Sequence, residues 1–119
     1  ADLGARVIKI EPPVGDVGRQ LGTARLTDAG EWMSALFHTI NRSKRSISLD
    51  LKHSSGVEVA RNLIERADVF IQNYRPGVIA RLGLGWDALS EINPSLIMVS
   101  ISGFGQSGPL SDRPVFDSV

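Results

Sequence analysis

The sequence predicts an α/β fold with parallel strands. Apolar, β-branched runs at 5–11, 46–51, 69–72 and 96–101 alternate with segments whose apolar residues recur at helical spacing. That strand–helix–strand–helix–strand order implies parallel pairing with right-handed crossovers. The third observation is the stretch Ala-Asp-Val-Phe-Ile-Gln-Asn-Tyr-Arg-Pro-Gly at 67–77. A short apolar strand there ends on Asn73, Tyr74 and Arg75, and Pro76 stands where the first turn of a helix can begin. In open α/β sheets the carboxyl ends of strands are where ligands bind.

Taken in order, residues 1–4 read as the last turn of a helix stopped by Gly4, so an element before residue 1 is expected. Residues 5–11 form a strand that Pro12, Pro13 and Gly15 end. Residues 15–30 are polar and Gly-containing with no periodicity, which reads as a loop. Trp32, Met33, Leu36, Phe37 and Ile40 recur at helix spacing, predicting a helix over 31–40 with His38 off its apolar face. A basic loop with Arg42, Lys44 and Arg45 follows.

Residues 46–51 alternate strictly, with Ile47, Leu49 and Leu51 on one face, as in a half-buried strand near a sheet edge. Lys52 stands at its carboxyl end. Ser55 and Glu58 match a capping box opening a helix over 56–67, with Val57, Ala60, Leu63, Ile64 and Ala67 as its buried stripe. Short helices are predicted at 76–82, stopped by Gly83, and at 86–92, ended by Asn93 and Pro94. Residues 96–101 are the most apolar run and read as a strand buried on both faces. Residues 102–114 form a Gly/Ser/Pro loop, and no domain boundary is visible within the chain.

Composition narrows the function. The 119 residues include 13 basic and 13 acidic side chains, so no net charge argues for nucleic acid or an anionic membrane. There is no Cys, which excludes disulfides and thiolate chemistry. No apolar run approaches a membrane span and no signal peptide is visible; a cytoplasmic location is expected. His38 and His53 lie in no metal-ligand pattern, so no metal is expected. No pair of acids has a spacing that predicts joint acid–base work. Gly-Phe-Gly-Gln-Ser-Gly at 103–108 fits the letters of the dinucleotide fingerprint, but that motif needs a helix starting inside it, and Pro109, Asp112 and Pro114 continue the loop. What remains is one sheet edge shared by the loops at Lys52, at Asn73, Tyr74 and Arg75, and at 102–108. Lys52 and Arg75 supply positive charge and Tyr74 a stacking face, which suits a phosphorylated ligand with an aromatic base.

Six stretches together resemble the class III CoA-transferase family, which includes formyl-CoA and carnitine-type CoA transferases and α-methylacyl-CoA racemases. They are Ala-Asp-Leu-Gly-Ala-Arg-Val-Ile-Lys-Ile-Glu-Pro-Pro at 1–13, Asn-Arg-Ser-Lys-Arg-Ser-Ile-Ser-Leu-Asp-Leu-Lys at 41–52, the run at 67–77, Leu-Gly-Leu-Gly at 82–85, Asn-Pro-Ser-Leu-Ile at 93–97 and Ser-Ile-Ser-Gly-Phe-Gly-Gln-Ser-Gly-Pro at 100–109. They cover nearly the whole chain in the family's order.

The resemblance implies a Rossmann-like parallel sheet with flanking helices, here the N-terminal part of a larger domain whose first strand and downstream part are missing. It implies an interlocked homodimer and acyl-CoA and carboxylate substrates, with coenzyme A thioester as substrate and no separate cofactor. Positions matching the family's CoA contacts are Leu49, Asp50, Leu51, Lys52, Asn73, Tyr74, Arg75 and Arg81. Arg113, Pro114, Val115, Phe116 and Asp117 would lie nearer the thioester. Lys52, Arg75 and Arg81 would be the phosphate-side residues.

The family's transferases use an aspartate nucleophile that forms a mixed anhydride and then an aspartyl-CoA thioester. Its position falls past Val119, so no catalytic residue is expected within these residues, and this piece alone is expected to be inactive. The family's racemases carry a catalytic His immediately before the Asp that matches Asp117. Phe116 stands at that place and cannot move a proton, which favours a transferase over a racemase or epimerase. A non-catalytic Rossmann-type nucleotide-binding module is the third reading.

Overall fold

The computed structural model describes residues 1–30 and 32–115. It is a mixed α/β structure in two compact units, Ala1–Asp50 and Leu51–Val119, a division the sequence did not announce.

In the N-terminal unit, β1 (Ile8–Glu11) pairs in parallel with β4 (Arg45–Ser48), in the register Ile8↔Arg45 to Glu11↔Ser48. The expected alternation holds beyond the strand: Ile47, Leu49 and Leu51 are half-buried while Ser46, Ser48 and Asp50 are exposed. Between the two strands the structure departs from the expectation. The segment read as a loop contains a 3-10 turn (Val17–Gln20) and β2 (Ala24–Leu26), and β2 pairs antiparallel with β3 (Trp32–Ser34). The helix expected over 31–40 is therefore shorter: α1 spans Ala35–Ile40. Ser34 decides where it starts. Its hydroxyl oxygen accepts from the Phe37 N–H at 3.2 Å while its own O–H donates to the Leu21 carbonyl. A strong N-cap combined with strand pairing of the preceding residues outweighs the helical spacing of Trp32 and Met33. His38 is exposed, as expected.

In the C-terminal unit, β5 (Val69–Gln72) pairs in parallel with β6 (Ile97–Ser100), in the register Val69↔Ile97 to Gln72↔Ser100. The loops that follow Gln72 and Ser100 thus leave from the same end. The helix α2 spans Ser54–Ile64 and buries Gly56, Ala60 and Ile64. The expected capping box does not form. His53 takes the N-cap position without a side-chain cap, and the Ser55 hydroxyl is engaged by His53 Nδ1 at 2.9 Å. Two helices follow, α3 (Val78–Arg81) and α4 (Trp86–Ile92). Pro76 does not open α3. The Val78 N–H donates to the Arg75 carbonyl at 3.1 Å and Gly77 has φ +77° and ψ −15°, so Pro76 and Gly77 are the central pair of a type II turn.

Gly83 stops α3 as expected. At φ +74° it lets its own N–H reach the Ala80 carbonyl and the Leu84 N–H reach the Ile79 carbonyl, a Schellman closure with Leu84 and Ile79 both buried. The core of this unit is Ala60, Ile64, Ile79, Leu84, Leu89 and Leu96. Strand β6 is not covered on both faces among the described residues: Ile97 is 60% and Ile71 63% exposed, and Val69 and Val99 on the same face are also exposed. Two strands alone cannot shield both of their own faces. Asn93 is buried and neutral. Its Nδ2 donates to the carbonyls of Ile64 (3.1 Å) and Ala67 (2.8 Å), and its Oδ1 accepts from Ser95 N (3.2 Å) and Ser95 Oγ (2.9 Å). It gives the Ala67 carbonyl a donor and the Ile64 carbonyl a second one beside the Ala67 N–H (3.0 Å) at the end of α2.

Candidate functional site

The functional side chains of the C-terminal unit sit where local turn chemistry puts them. The loop Leu51–Lys52 leads into α2, and α2 presents Ser54, Val57, Glu58 and Arg61, at spacings of three, four and seven residues, along one face. The Schellman closure brings Arg81, Leu82 and Gly83 beside that face. Together these nine residues line an open cleft of about 670 Å³. Three of them are cations, Lys52, Arg61 and Arg81, and one is an acid, Glu58. No salt bridge among the described residues involves Arg61 or Arg81. Arg81 lies beside the type II turn: its Nη1 is 3.1 Å from where a Cβ on Gly77 would be. A second depression, of about 440 Å³, is lined by Trp86, Leu96, Ile97, Met98 and Ser100 and carries no ionisable group. The first is the one with chemistry for an anion.

Of the positions the resemblance assigns to CoA, Leu51, Lys52 and Arg81 line this cleft, whereas Arg75, expected beside Lys52 and Arg81 on the phosphate side, does not. Arg61 and Glu58 line it too; from the sequence Glu58 was read only as half of a capping box, and Arg61 was not singled out. The signal that could have found them is their place on the polar stripe of an amphipathic helix, one turn apart.

Asn73, Tyr74 and Arg75 do not line the cleft. They form the exposed loop after β5, with Tyr74 41% exposed. Buried Gln72 shapes that loop, its Oε1 accepting from the Tyr74 N–H at 2.8 Å. Leu49 and Asp50 end the N-terminal unit, Leu49 half-buried and bonded through its N–H to the Glu11 carbonyl at 2.9 Å, Asp50 exposed.

Beyond β6, the described residues 103–108 contain turns and no helix, in accord with the rejection of the dinucleotide fingerprint. Val115 is half-buried against Gly103; a Cβ there would fall 2.2 Å from Val115 Cγ2, so only glycine allows this approach. Arg113 and Pro114 are exposed, and the Arg113 guanidinium lies 5.9 Å from the centre of the Phe104 ring. Phe116 and Asp117 lie outside the described residues.

The N-terminal unit holds a different kind of charge cluster. Glu11, at the carboxyl end of β1, is 3% exposed. Its carboxylate accepts from Arg19 Nε (2.8 Å) and Nη2 (3.0 Å), Ser46 Oγ (2.7 Å) and the Asp16 N–H (3.1 Å). The Arg19 hydrogen bonds, helped by Ser46 and the Asp16 amide and opposed by burial, hold the Glu11 carboxyl down at about 2. Glu11 raises Arg19 in return. Asp16 pairs with Lys9, which lowers it, and accepts from the Gly18 N–H at 2.6 Å. Arg19 stacks over Phe37 at 4.1 Å. Every charge here has a partner within the unit, so the cluster is a clamp on the segment after β1.

A match to CoA-transferase family III spans residues 1–119. The chain belongs to CoA-transferase family III. Among its relatives in the family, the succinyl-CoA–L-malate CoA-transferase beta subunit of Chloroflexus aurantiacus is 45% identical over 97% of this chain and 28% of its own length. The formyl-CoA:oxalate CoA-transferase of Bradyrhizobium diazoefficiens is 44% identical over 98% of this chain and 27% of its own. Among solved structures, a CAIB/BAIF family protein from Brucella suis superposes with a TM-score of 0.91 at 44% identity, covering 98% of this chain and 31% of that one. The family expected from the six sequence stretches is therefore the right one, and the chain spans less than a third of the length of these relatives. No helix among the described residues is long and apolar enough to cross a membrane.

Proposed function

We propose that the protein carrying this chain is a CoA-transferase that moves coenzyme A from an acyl-CoA donor to a carboxylic acid acceptor. Membership of CoA-transferase family III over residues 1–119 is the observation that carries the reading. Relatives named as succinyl-CoA, acetyl-CoA and formyl-CoA transferases support it.

In this reading the chain supplies part of the coenzyme A site and no catalytic group. Lys52 and Arg81, together in the cleft, hold phosphate. Asn73, Tyr74 and Arg75 flank the nucleotide, with Tyr74 offering a ring face. Leu49, Asp50 and Leu51 add contacts at the end of β4, and Arg113, Pro114, Val115, Phe116 and Asp117 approach the thioester. The reaction runs through an aspartate carboxylate outside these 119 residues. That carboxylate attacks the thioester carbonyl, expelling the CoA thiolate and leaving a mixed anhydride. The thiolate then attacks the aspartyl carbonyl, releasing the donor's acid and forming an aspartyl-CoA thioester, and the acceptor carboxylate reverses the sequence. The active form is a cytoplasmic homodimer.

The test uses the natural full-length protein in deuterated water with a panel of acyl-CoAs and small carboxylates, read by mass spectrometry of the thioesters. New acyl-CoA species whose acyl chain follows the added acid are expected. The original thioester gaining one deuterium without acid exchange would instead mean racemase chemistry, despite Phe116. Neither signal across the panel counts against the transferase reading and for a binding module.

A further inference from the structure

Resting on the reading that Arg113, Pro114 and Val115 approach the thioester, we propose that Gly103 is a positioning residue for the transfer step. Its bare Cα seats Val115, closes residues 103–115 into an Ω-loop and so fixes the course of the chain from Arg113 to Val115.

The three glycines of the Gly-Phe-Gly-Gln-Ser-Gly run are there for different reasons. Gly105 and Gly108 have φ +85° and +102°, and both have room around them: a Cβ on Gly105 would meet its nearest neighbour at 3.9 Å, and one on Gly108 nothing within 4 Å. Gly103 is the reverse. Its φ is not positive, yet a Cβ on it would overlap Cβ, Cγ1 and Cγ2 of Val115. Space, not backbone conformation, excludes a side chain there. Two glycines shape turns and one makes a seat.

The seat holds the far arm of the loop. Each arm is tied locally. Gln106 Nε2 donates to Ser102 Oγ at 3.1 Å on the first. On the second, Ser111 donates to the Gly108 carbonyl through its N–H (3.2 Å) and its hydroxyl (2.9 Å), and the Arg113 N–H donates to the Leu110 carbonyl at 3.0 Å. Among the described residues no backbone hydrogen bond joins 102–104 to 113–115. Side-chain contacts bring the arms together: Val115 on Gly103, and the Arg113 guanidinium 5.9 Å from the centre of the Phe104 ring. The second contact is exposed on both sides and weak. Val115 is half-buried and in close contact, so losing its seat frees the second arm.

The experiment uses the natural full-length protein. It reads hydrogen exchange of residues 103–115 by mass spectrometry, coenzyme A affinity by calorimetry, and kcat with the acyl-CoA and carboxylate pair that the panel assay identifies. Gly103→Ala should speed exchange across 103–115 about threefold or more and lower kcat about tenfold, while coenzyme A affinity changes less than about twofold. In a Val115→Gly background the overlapping atoms are gone, and the same substitution should lower kcat less than about twofold. Val115→Gly alone removes the seated side chain without adding bulk. It should itself speed exchange and lower kcat, which keeps the test alive if Gly103→Ala folds poorly. Unchanged exchange in both single variants overturns the proposal. So does faster exchange with kcat intact, or an equal kcat loss from Gly103→Ala in the two backgrounds. A wild type that moves no coenzyme A sinks the transferase reading instead, and the exchange measurements then decide the loop closure by themselves.

Discussion

In the N-terminal unit the carboxylate of Glu11 is nearly inaccessible and is shared among Arg19, Ser46 and the Asp16 amide, whereas in the C-terminal unit Arg61 and Arg81 line an open cleft with no salt bridge among the described residues. The two regions use the same side-chain chemistry to different ends. A buried charge must be paired to offset its desolvation, so the Glu11 cluster is committed to structure. A charge on a cleft wall is hydrated and keeps its donors available to a ligand. Arg81 lies beside the Gly77 turn and has no salt bridge among the described residues. Titration of the first cluster should therefore read out in stability, and mutation of the second in affinity.

The largest expected effect lies in the first region. The folded-state pKa of Glu11, about 2, is below its ordinary value of 4.5. Its stabilisation is therefore present above pH 4.5 and is lost as pH falls from 4.5 toward 2. The full shift corresponds to about 3 kcal/mol. Urea unfolding across that range should show the loss in the wild type and a much flatter profile in Glu11→Gln; identical slopes would break the comparison at its stronger end.

Next in size is Asn93→Ala. It takes its side-chain donor from the Ala67 carbonyl and one of two donors from the Ile64 carbonyl, and should cost about 2 kcal/mol. Because Asn93 is neutral, that cost should not change between pH 2 and 4.5, and a pH-dependent cost would blur the contrast between the units.

Arg81→Ala comes third. Coenzyme A affinity should fall about tenfold, near 1.4 kcal/mol, while the urea midpoint stays within about 0.5 kcal/mol of wild type. A stability loss larger than the affinity loss would make Arg81 a structural residue.

Gly77→Ala is smaller, about 1 kcal/mol of stability, since an L side chain at φ +77° is strained. The added Cβ would also press on Arg81 Nη1, so coenzyme A affinity should fall with it. The smallest effect belongs to Arg42→Ala. Its salt bridge to Asp2 is exposed on both sides, so the unfolding midpoint should scarcely move.

Much of this was legible in the chain of letters where the signal is local. The strand Val69–Gln72, the helix Trp86–Ile92 and the stop at Gly83 follow from short-range rules: an apolar β-branched run, a periodic stretch before Asn93 and Pro94, and a residue that takes φ > 0 without penalty. The alternation through Ile47, Leu49 and Leu51 was read correctly for the same reason. Family membership was legible too, because six motifs in order are jointly far more specific than any one.

Tertiary structure decided the rest, because those features depend on partners remote in sequence. Trp32 and Met33 have helical spacing, yet they pair with Ala24–Leu26, and Ser34 starts the helix only after them. Ser55 looks like half of a capping box, yet its hydroxyl goes to His53. Asn93 reads as a helix breaker, and only folding puts its amide against carbonyls 26 and 29 residues away. The same holds for the site. Composition along the chain determined that Lys52 and Arg81 are basic residues near turns. Only the packing of α2 beside the end of α3 put Arg61 and Glu58 in their company, since a helix face acquires a role from what it is laid against.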